Sequence, residues 1–274
     1  MPNASDFPYL HGFSKTEQDR LRTQAEFTEH VIYKDINFSG NTNILEVGCG
    51  VGAQSEILLR RFPKIQLTGI ELNEKQIASA TDYLKDFSFA KDRYELLKMD
   101  ATQMSFDSNQ FDGAFLCWVL EHVPNPKHAL NEVRRVLKPG STIYINEVMN
   151  SSFFLEPYSP HVWKYWMAFN DYQLDNAGDP FIGAKLGNLL LELGFKDIKT
   201  EVKTWHYDNR HPTQKSETIK FWTELLMSAK DQLIKEKVVS VELAQKAEQE
   251  LAQVARNHDS VFFYSFMQAS ARVF

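Results

Sequence analysis

The sequence predicts an α/β protein built on a mostly parallel sheet with helices on both faces. Three observations predict it. Between residues 43 and 145, short apolar, strand-like runs alternate with helix-like segments. One run, FDGAFLCWVL at 111–120, is apolar almost throughout, as a strand covered on both faces is. A glycine-rich loop, LEVGCGVGAQS at 45–55, joins a strand to a helix. Strands that alternate with helices pair in parallel through crossover connections.

The elements follow in chain order. Residues 14–33 read as one amphipathic helix, opened by Ser14-Lys15-Thr16-Glu17, which has the form of a capping box. NILEV (43–47) is a strand. AQSEILLRRF (53–62) is a helix with Ile57, Leu58 and Phe62 on one face, stopped by Pro63. IQLTGIEL (65–72) is a strand, EKQIASATDYL (74–84) a helix and YELLKMD (94–100) a strand. KHALNEVRRVL (127–137) has Leu130, Val133 and Leu137 at helical spacing, with Pro139-Gly140 as its end. TIYINEVM (142–149) is a strand. Residues 150–195 are aromatic-rich and irregular, with a helical stretch at 183–194. KDIKTEVKTW (196–205) is a strand. Residues 216–257 read as two helices, with Ile219, Trp222, Leu226, Ala229 and Leu233 on one stripe. The final run, VFFYSFMQASARVF, is a strand that returns antiparallel at a sheet edge. The expected organisation is an N-terminal segment (1–40), a core (41–149), an aromatic insert (150–195) and a C-terminal part that completes the sheet (196–274).

Composition narrows the function. The 274 residues are 43% hydrophobic and 24% charged, with a net charge of -6. An acidic chain with no dense Lys/Arg run is not drawn to nucleic acid by its overall field. No apolar stretch is long enough to span a bilayer, and the first residues do not form a signal peptide. Two distant cysteines, Cys49 and Cys117, suit a reducing cytoplasm. The scattered histidines suggest no metal site.

What the glycine loop holds is decided by its neighbours. A P-loop needs Lys after its last glycine, and none follows Gly52. The dinucleotide fingerprint G-x-G-x-x-G stays open, because Ala53 stands where its last glycine is expected. Glu46, two residues before Gly48, would repel a pyrophosphate and suit a positively charged ligand. Glu71 ends the second strand, where a carboxylate can accept from both ribose hydroxyls. Asp100 ends the third, where it can meet an adenine amino group. A nucleoside with a cationic, phosphate-free arm fits this set, and S-adenosylmethionine (SAM) is such a molecule.

LEVGCGVGA, GIELN, MDA, FDGAFLCWVLEHVPNP and LKPGSTIYI, in that order over residues 40–148, resemble the motifs of class I SAM-dependent methyltransferases. The nearest flavour is the small-molecule group that includes the ubiquinone/menaquinone-biosynthesis type. The resemblance implies a Rossmann-like, seven-stranded, mostly parallel sheet with an antiparallel last strand, an N-terminal lid helix and a helical, aromatic cap. It implies that Gly48, Gly50 and Gly52 pass under the methionine and ribose parts, and that Glu46 sets the loop. Glu71 would bind the ribose hydroxyls and Leu72 would pack on the adenine. Asp100 and Ala101 would face the adenine edge, and Cys117 would lie near the methionine arm. YLHGFSKTEQDRLRTQA resembles a lid, which makes Tyr9, Arg20 and Gln24 candidates to touch the methionine carboxylate.

Methyl transfer from a sulfonium needs alignment and exclusion of water more than acid–base help. Candidate bases are His11, Glu121, His122, Glu147, His161 and His206, with His161, His11 and Glu121 foremost. Phe13, Trp118, Phe153, Tyr158, Trp163 and Trp166 are expected to wall a closed pocket for a small aromatic or heterocyclic acceptor, methylated at O, N or C. The C-terminal helices pack on the domain or in a homodimer. Competing readings are a protein side-chain methyltransferase, a non-catalytic SAM-binding protein and a nicotinamide oxidoreductase.

Overall fold

In the computed structural model, residues 11–274 are described. Helix α1 (Lys15–Ile32) is capped by Ser14, whose hydroxyl accepts the Glu17 amide at 3.1 Å. Then come β1 (Asn43–Val47), α2 (Ala53–Arg61), β2 (Gln66–Glu71), α3 (Glu74–Leu84), β3 (Tyr94–Lys98), β4 (Phe111–Cys117) and α4 (Pro126–Val136). Their order matches the alternation read from the sequence. Strand β5 (Leu137–Val148) starts directly after α4, five residues earlier than TIYINEVM suggests. Pro139 and Gly140 lie inside an irregular opening of that strand, where its register against β4 shifts between Phe111 and Gly113.

The insert is more regular than its composition suggests. It holds a short strand, β6 (Phe154–Glu156), a sixteen-residue helix, α5 (Pro160–Asp175), and a second helix, α6 (Leu186–Glu192). Helix α5 does not read as amphipathic because Val162, Tyr165, Trp166, Phe169, Asn170 and Gln173 are all buried. Its usable signal is Ser159-Pro160, a cap residue before a proline in the first turn. Strand β7 (Lys196–Tyr207) follows, then three helices where two are expected: α7 (Pro212–Ser228), α8 (Lys230–Lys235) and α9 (Val241–Arg256). Strand β8 (Val261–Arg272) closes the chain.

The sheet has eight strands. Strands β3, β2, β1, β4 and β5 run parallel in that order, and β8 is antiparallel to β5. The expectation that the last strand sits at a sheet edge is corrected: β8 is interior, between β5 and β7, with β6 pairing against its first residues. An interior strand has both rows of backbone groups to satisfy, and β8 does so with Thr142–Val148 on one side and Lys196–Tyr207 on the other.

Strand residues alternate between two cores. Ile44, Leu67 and Phe115 face α1 and α2, whereas Leu45, Val47, Ala114, Leu116, Ile143 and Ile145 face α4 and α6. The first core runs on into the cap of α5, α7 and α9, where Phe153 stacks on Trp222 with ring centroids 5.1 Å apart. Helix α5 borrows its N-terminal cap from α9. The Glu250 carboxylate accepts the amides of His161 (2.8 Å) and Val162 (3.0 Å) and contacts His161 Nδ1 at 2.6 Å. Glu250→Ala orphans these donors, so urea unfolding should show a loss of about 1–2 kcal/mol. Glu250→Gln keeps one acceptor oxygen and should lose less.

Candidate functional site

Parallel strands bring their carboxyl ends to one edge, and the strand order reverses between β1 and β4, where α/β sheets open a crevice. A cavity of about 640 Å³ lies there. Its floor is the glycine loop and the ends of β2, β3 and β4. Its walls are α1, the end of α5 and Leu225 of α7.

The loop has its shape because three glycines adopt positive φ: Gly48 at 70°, Gly50 at 50° and Gly52 at 77°. Two of them have different reasons to lack a side chain. At Gly48 a Cβ would lie 2.6 Å from Val119 Cγ2, so the close approach of two loops requires glycine. At Gly50 nothing lies within 4 Å of the Cβ position, so the backbone there borders open space. The Glu71 carboxylate pins the loop by accepting the Gly50 amide (3.2 Å), and it also accepts the Asn73 amide (2.9 Å). Burial raises the Glu71 carboxyl above its usual range, against the lowering effect of those amides. Asp100 Oδ1 accepts both the amide and the hydroxyl of Thr102, at 2.8 and 2.7 Å.

Gly48, Gly50, Glu71, Leu72, Asp100, Ala101, Cys117, Arg20 and Gln24 line the cavity together, as do Phe13 and Trp118. Gly52 begins α2 directly below. Tyr9 lies outside the described residues. Arg20 is buried, paired with Glu17 at 2.6 and 2.7 Å, and donates to Gln24 at 2.7 Å.

Glu46 is placed differently from expectation. It does not line the cavity but sits buried behind the loop, where its carboxyl takes a 2.5 Å hydrogen bond from Ser55 of α2. Burial outweighs that bond and pushes the carboxyl up to about 8, with the Glu71 charge adding to the rise. It is therefore largely protonated at neutral pH and ties α2 to β1 rather than facing a ligand with negative charge. The native state holds this proton more tightly than the unfolded chain does. Its contribution is then full below the unfolded carboxyl range and is lost as pH rises to about 8. Glu46→Gln should remove this dependence, so its Tm relative to wild type should climb between pH 5 and pH 8.5 in thermal melts.

Phe153, Tyr158, Trp163 and Trp166 of the insert do not wall the cavity. Phe153 and Trp166 are buried in the cap core, Trp163 packs against that core, and Tyr158 is exposed. Apolar rings at helical spacing bury against α7, α9 and β8 before any remain for a ligand. The insert instead contributes Tyr172, Gln173, Asn176 and Gly178 from the end of α5 and beyond. These escaped the sequence reading because α5 itself did. The DYQ run after the aromatics was their only trace.

The candidate bases separate. His161 lies at the start of α5 on Glu250, and His206 is exposed on β7. Glu147 is buried under the loop after β4, where it accepts the amides of Val119 (2.9 Å), Leu120 (2.7 Å) and Glu121 (3.4 Å). Burial, then the Glu121 charge, pushes it up to about 8. Glu121 reaches the cavity, and Gln173 Nε2 donates to its carboxylate at 2.9 Å. His122 lines the cavity beside it. His11 lines the cavity too, with Nδ1 2.6 Å from Ser228 Oγ and its ring 5.7 Å from Phe169. Burial, followed by the charges of Arg20 and His122, holds its pKa well below the usual histidine range, so the ring is neutral at pH 7. Burial pushes the Cys49 and Cys117 thiols well up, so neither is a thiolate nucleophile. Among the described residues no cluster could hold a metal ion, and no helix is long and apolar enough to cross a membrane.

Residues 45–145 match a protein-family model described as a methyltransferase domain. A sterol 24-C-methyltransferase of Gibberella zeae is 29% identical over 126 residues, which cover 46% of this chain and 33% of that protein. The chain thus spans about a third of the length of such curated relatives. Among solved structures, the 4+2 cyclase SpnF superposes with a TM-score of 0.56 at 21% identity, covering 93% of this chain and 81% of that one. Phosphoethanolamine N-methyltransferase 2 of Haemonchus contortus, in complex with phosphomonomethylethanolamine and S-adenosylhomocysteine, also gives 0.56, at 18% identity, covering 92% of this chain and 52% of that one. At these identities the superpositions establish the shared fold.

Proposed function

We propose that residues 45–145, which match a methyltransferase-domain model, form a class I SAM-dependent methyltransferase domain, and that the chain transfers a methyl group from SAM to a small acceptor enclosed in the cavity. The observation that carries this reading is one cavity lined by two chemically different sets of residues. Gly50, Glu71 and Asp100 line it from the glycine loop and strand ends, and Phe13, Trp118, Tyr172 and Leu225 line it as well.

The residues at the strand ends suit the cofactor. The open space at Gly50 is a cradle that any side chain would fill. Glu71 keeps lone pairs beyond those taken by Gly50 and Asn73, so its carboxylate can still accept from two ribose hydroxyls. Asp100 Oδ2 has no hydrogen bond among the described residues and suits an adenine amino group. Bound SAM supplies an already activated methyl carbon. The chain's part is to orient the acceptor, keep water out and receive a proton where one must leave. Orientation alone is worth up to about 7–11 kcal/mol of barrier. Burial and the charges of Arg20 and His122 disfavour a proton on His11, so its neutral ring is a weak base, while the Glu121 carboxylate holds Gln173.

The sterol methyltransferase relatives favour a small molecule over a protein side chain. Calorimetric titration with SAM, S-adenosylhomocysteine and NADH decides the cofactor. Micromolar SAM binding with no NADH binding is the expected result. Conversion of SAM to S-adenosylhomocysteine only with added acceptor then separates a methyltransferase from a chain that binds SAM without transfer. NADH binding in place of SAM would overturn the reading.

A further inference from the structure

Strand β7 is the outer strand of the sheet at the end away from β3. It pairs with β8 on one side, and no described strand pairs with its other side. From Lys199 to Tyr207 its register against β8 is unbroken, so its outward amides and carbonyls form a regular row. Lys199, Thr200, Glu201, Val202 and Thr204 are exposed. Val202, at 51%, is an apolar side chain left in water in the middle of the run. Such an edge is a template for another strand.

The order of the side chains says which strand fits. When two copies of one strand pair antiparallel about a two-fold axis, one residue opposes itself. Its neighbours then oppose each other in turn, each pair on one face. About Val202 the run KTEVKTW is self-complementary. Val202 opposes Val202, Glu201 opposes Lys203, and Thr200 opposes Thr204. Pairs of these kinds directly across a ladder each stabilise it by about 0.2–1 kcal/mol. Within one chain Glu201 already lies 2.9 Å from Lys203 Nζ, which also donates to Asp35 at 2.5 Å. The ammonium keeps a third N–H for the Glu201 of a copy. Two copies thus close a ring of alternating charges.

The nearby registers fail. Centring on Glu201 sets that carboxylate against itself and Lys199 against Lys203, and centring on Lys203 sets that lysine against itself. Centring on Thr204 brings no opposite charges together. Centring on Thr200 runs the ladder into the bulge between Lys196 and Lys199, where Asp197 has a φ of 51°. Charges on an edge strand usually keep it from pairing. Here their order blocks the neighbouring registers and leaves one open. The opposite edge has no such register, because the charges of β3, Glu95 and Lys98, fall on opposite faces. We infer that β7 is a dimerisation edge, which pairs antiparallel, centred on Val202, with β7 of a second copy and joins two sheets into one.

A ladder of this length is a small interface, so the dimer should be weak, with a Kd of about 1–100 µM. Sedimentation equilibrium up to about 500 µM should show monomer and dimer exchanging in wild type. Glu201→Lys sets lysine against Lys203 of the copy and should weaken the dimer at least about tenfold, with circular dichroism unchanged. Thiol crosslinking reads the register independently, at exposed positions. Val202→Cys alone should form a disulfide-linked dimer under mild oxidation, because the two side chains oppose each other. Thr200→Cys and Thr204→Cys should not link alone but should link to each other when mixed. Wild type, with Cys49 and Cys117, sets the background. A protein that stays monomeric at about 500 µM, a dimer that a folded Glu201→Lys leaves intact, or a dimer in which Val202→Cys does not crosslink overturns the proposal.

Discussion

Glu71→Ala should weaken SAM binding by about 100-fold or more in calorimetric titration. Two hydrogen bonds from ribose hydroxyls to a charged acceptor are worth about 1.5–3 kcal/mol each. The substitution also frees the glycine loop, because the Gly50 and Asn73 amides lose their acceptor. Glu71→Gln separates the two effects. It keeps one carbonyl oxygen and about the same volume, so its loss should fall between wild type and Glu71→Ala. The raised Glu71 carboxyl adds a pH signature. Binding needs the carboxylate, so wild-type affinity should fall as pH drops through that raised range, and the Gln variant should lack this slope. Wild-type affinity in Glu71→Ala would remove the ribose role.

Gly50→Val should abolish binding with little loss of fold. The left-handed backbone at φ 50° costs an L-residue about 1–2 kcal/mol, which for a chain of this size lowers Tm by about 2–8 °C. The side chain itself meets nothing in the protein, because the Cβ position is open. It projects into space the cofactor would fill, so SAM affinity should drop at least about 100-fold. The same change at Gly48 has the opposite balance, since a Cβ there strikes Val119 at 2.6 Å and strains the loop before any ligand arrives. A Gly50→Val protein that binds SAM normally would place the cofactor elsewhere.

The parallel half of the sheet, and the meeting of Glu71 and Asp100 at one edge of it, are legible in the sequence. Both rest on local signals: the alternation of apolar strands and helices, glycines where positive φ is needed, and carboxylates at strand ends. Parallel strands carry Glu71 and Asp100 to one edge whatever packs around them. Tertiary structure decided the rest. Glu46 reads in sequence as a charge facing a ligand, yet burial against Ser55 makes it a neutral link behind the loop. Phe153, Trp163 and Trp166 read as a pocket wall, yet the cap formed by α5, α7 and α9 consumes them as core. Strand β8 reads as an edge and lies in the interior, because its neighbour β7 precedes it by three helices. Gln173 could not be found before α5 was, since only the fold turns that helix end towards Glu121. Apolar and ionisable side chains take their roles from what surrounds them, and those surroundings are made by long-range packing that no local pattern encodes.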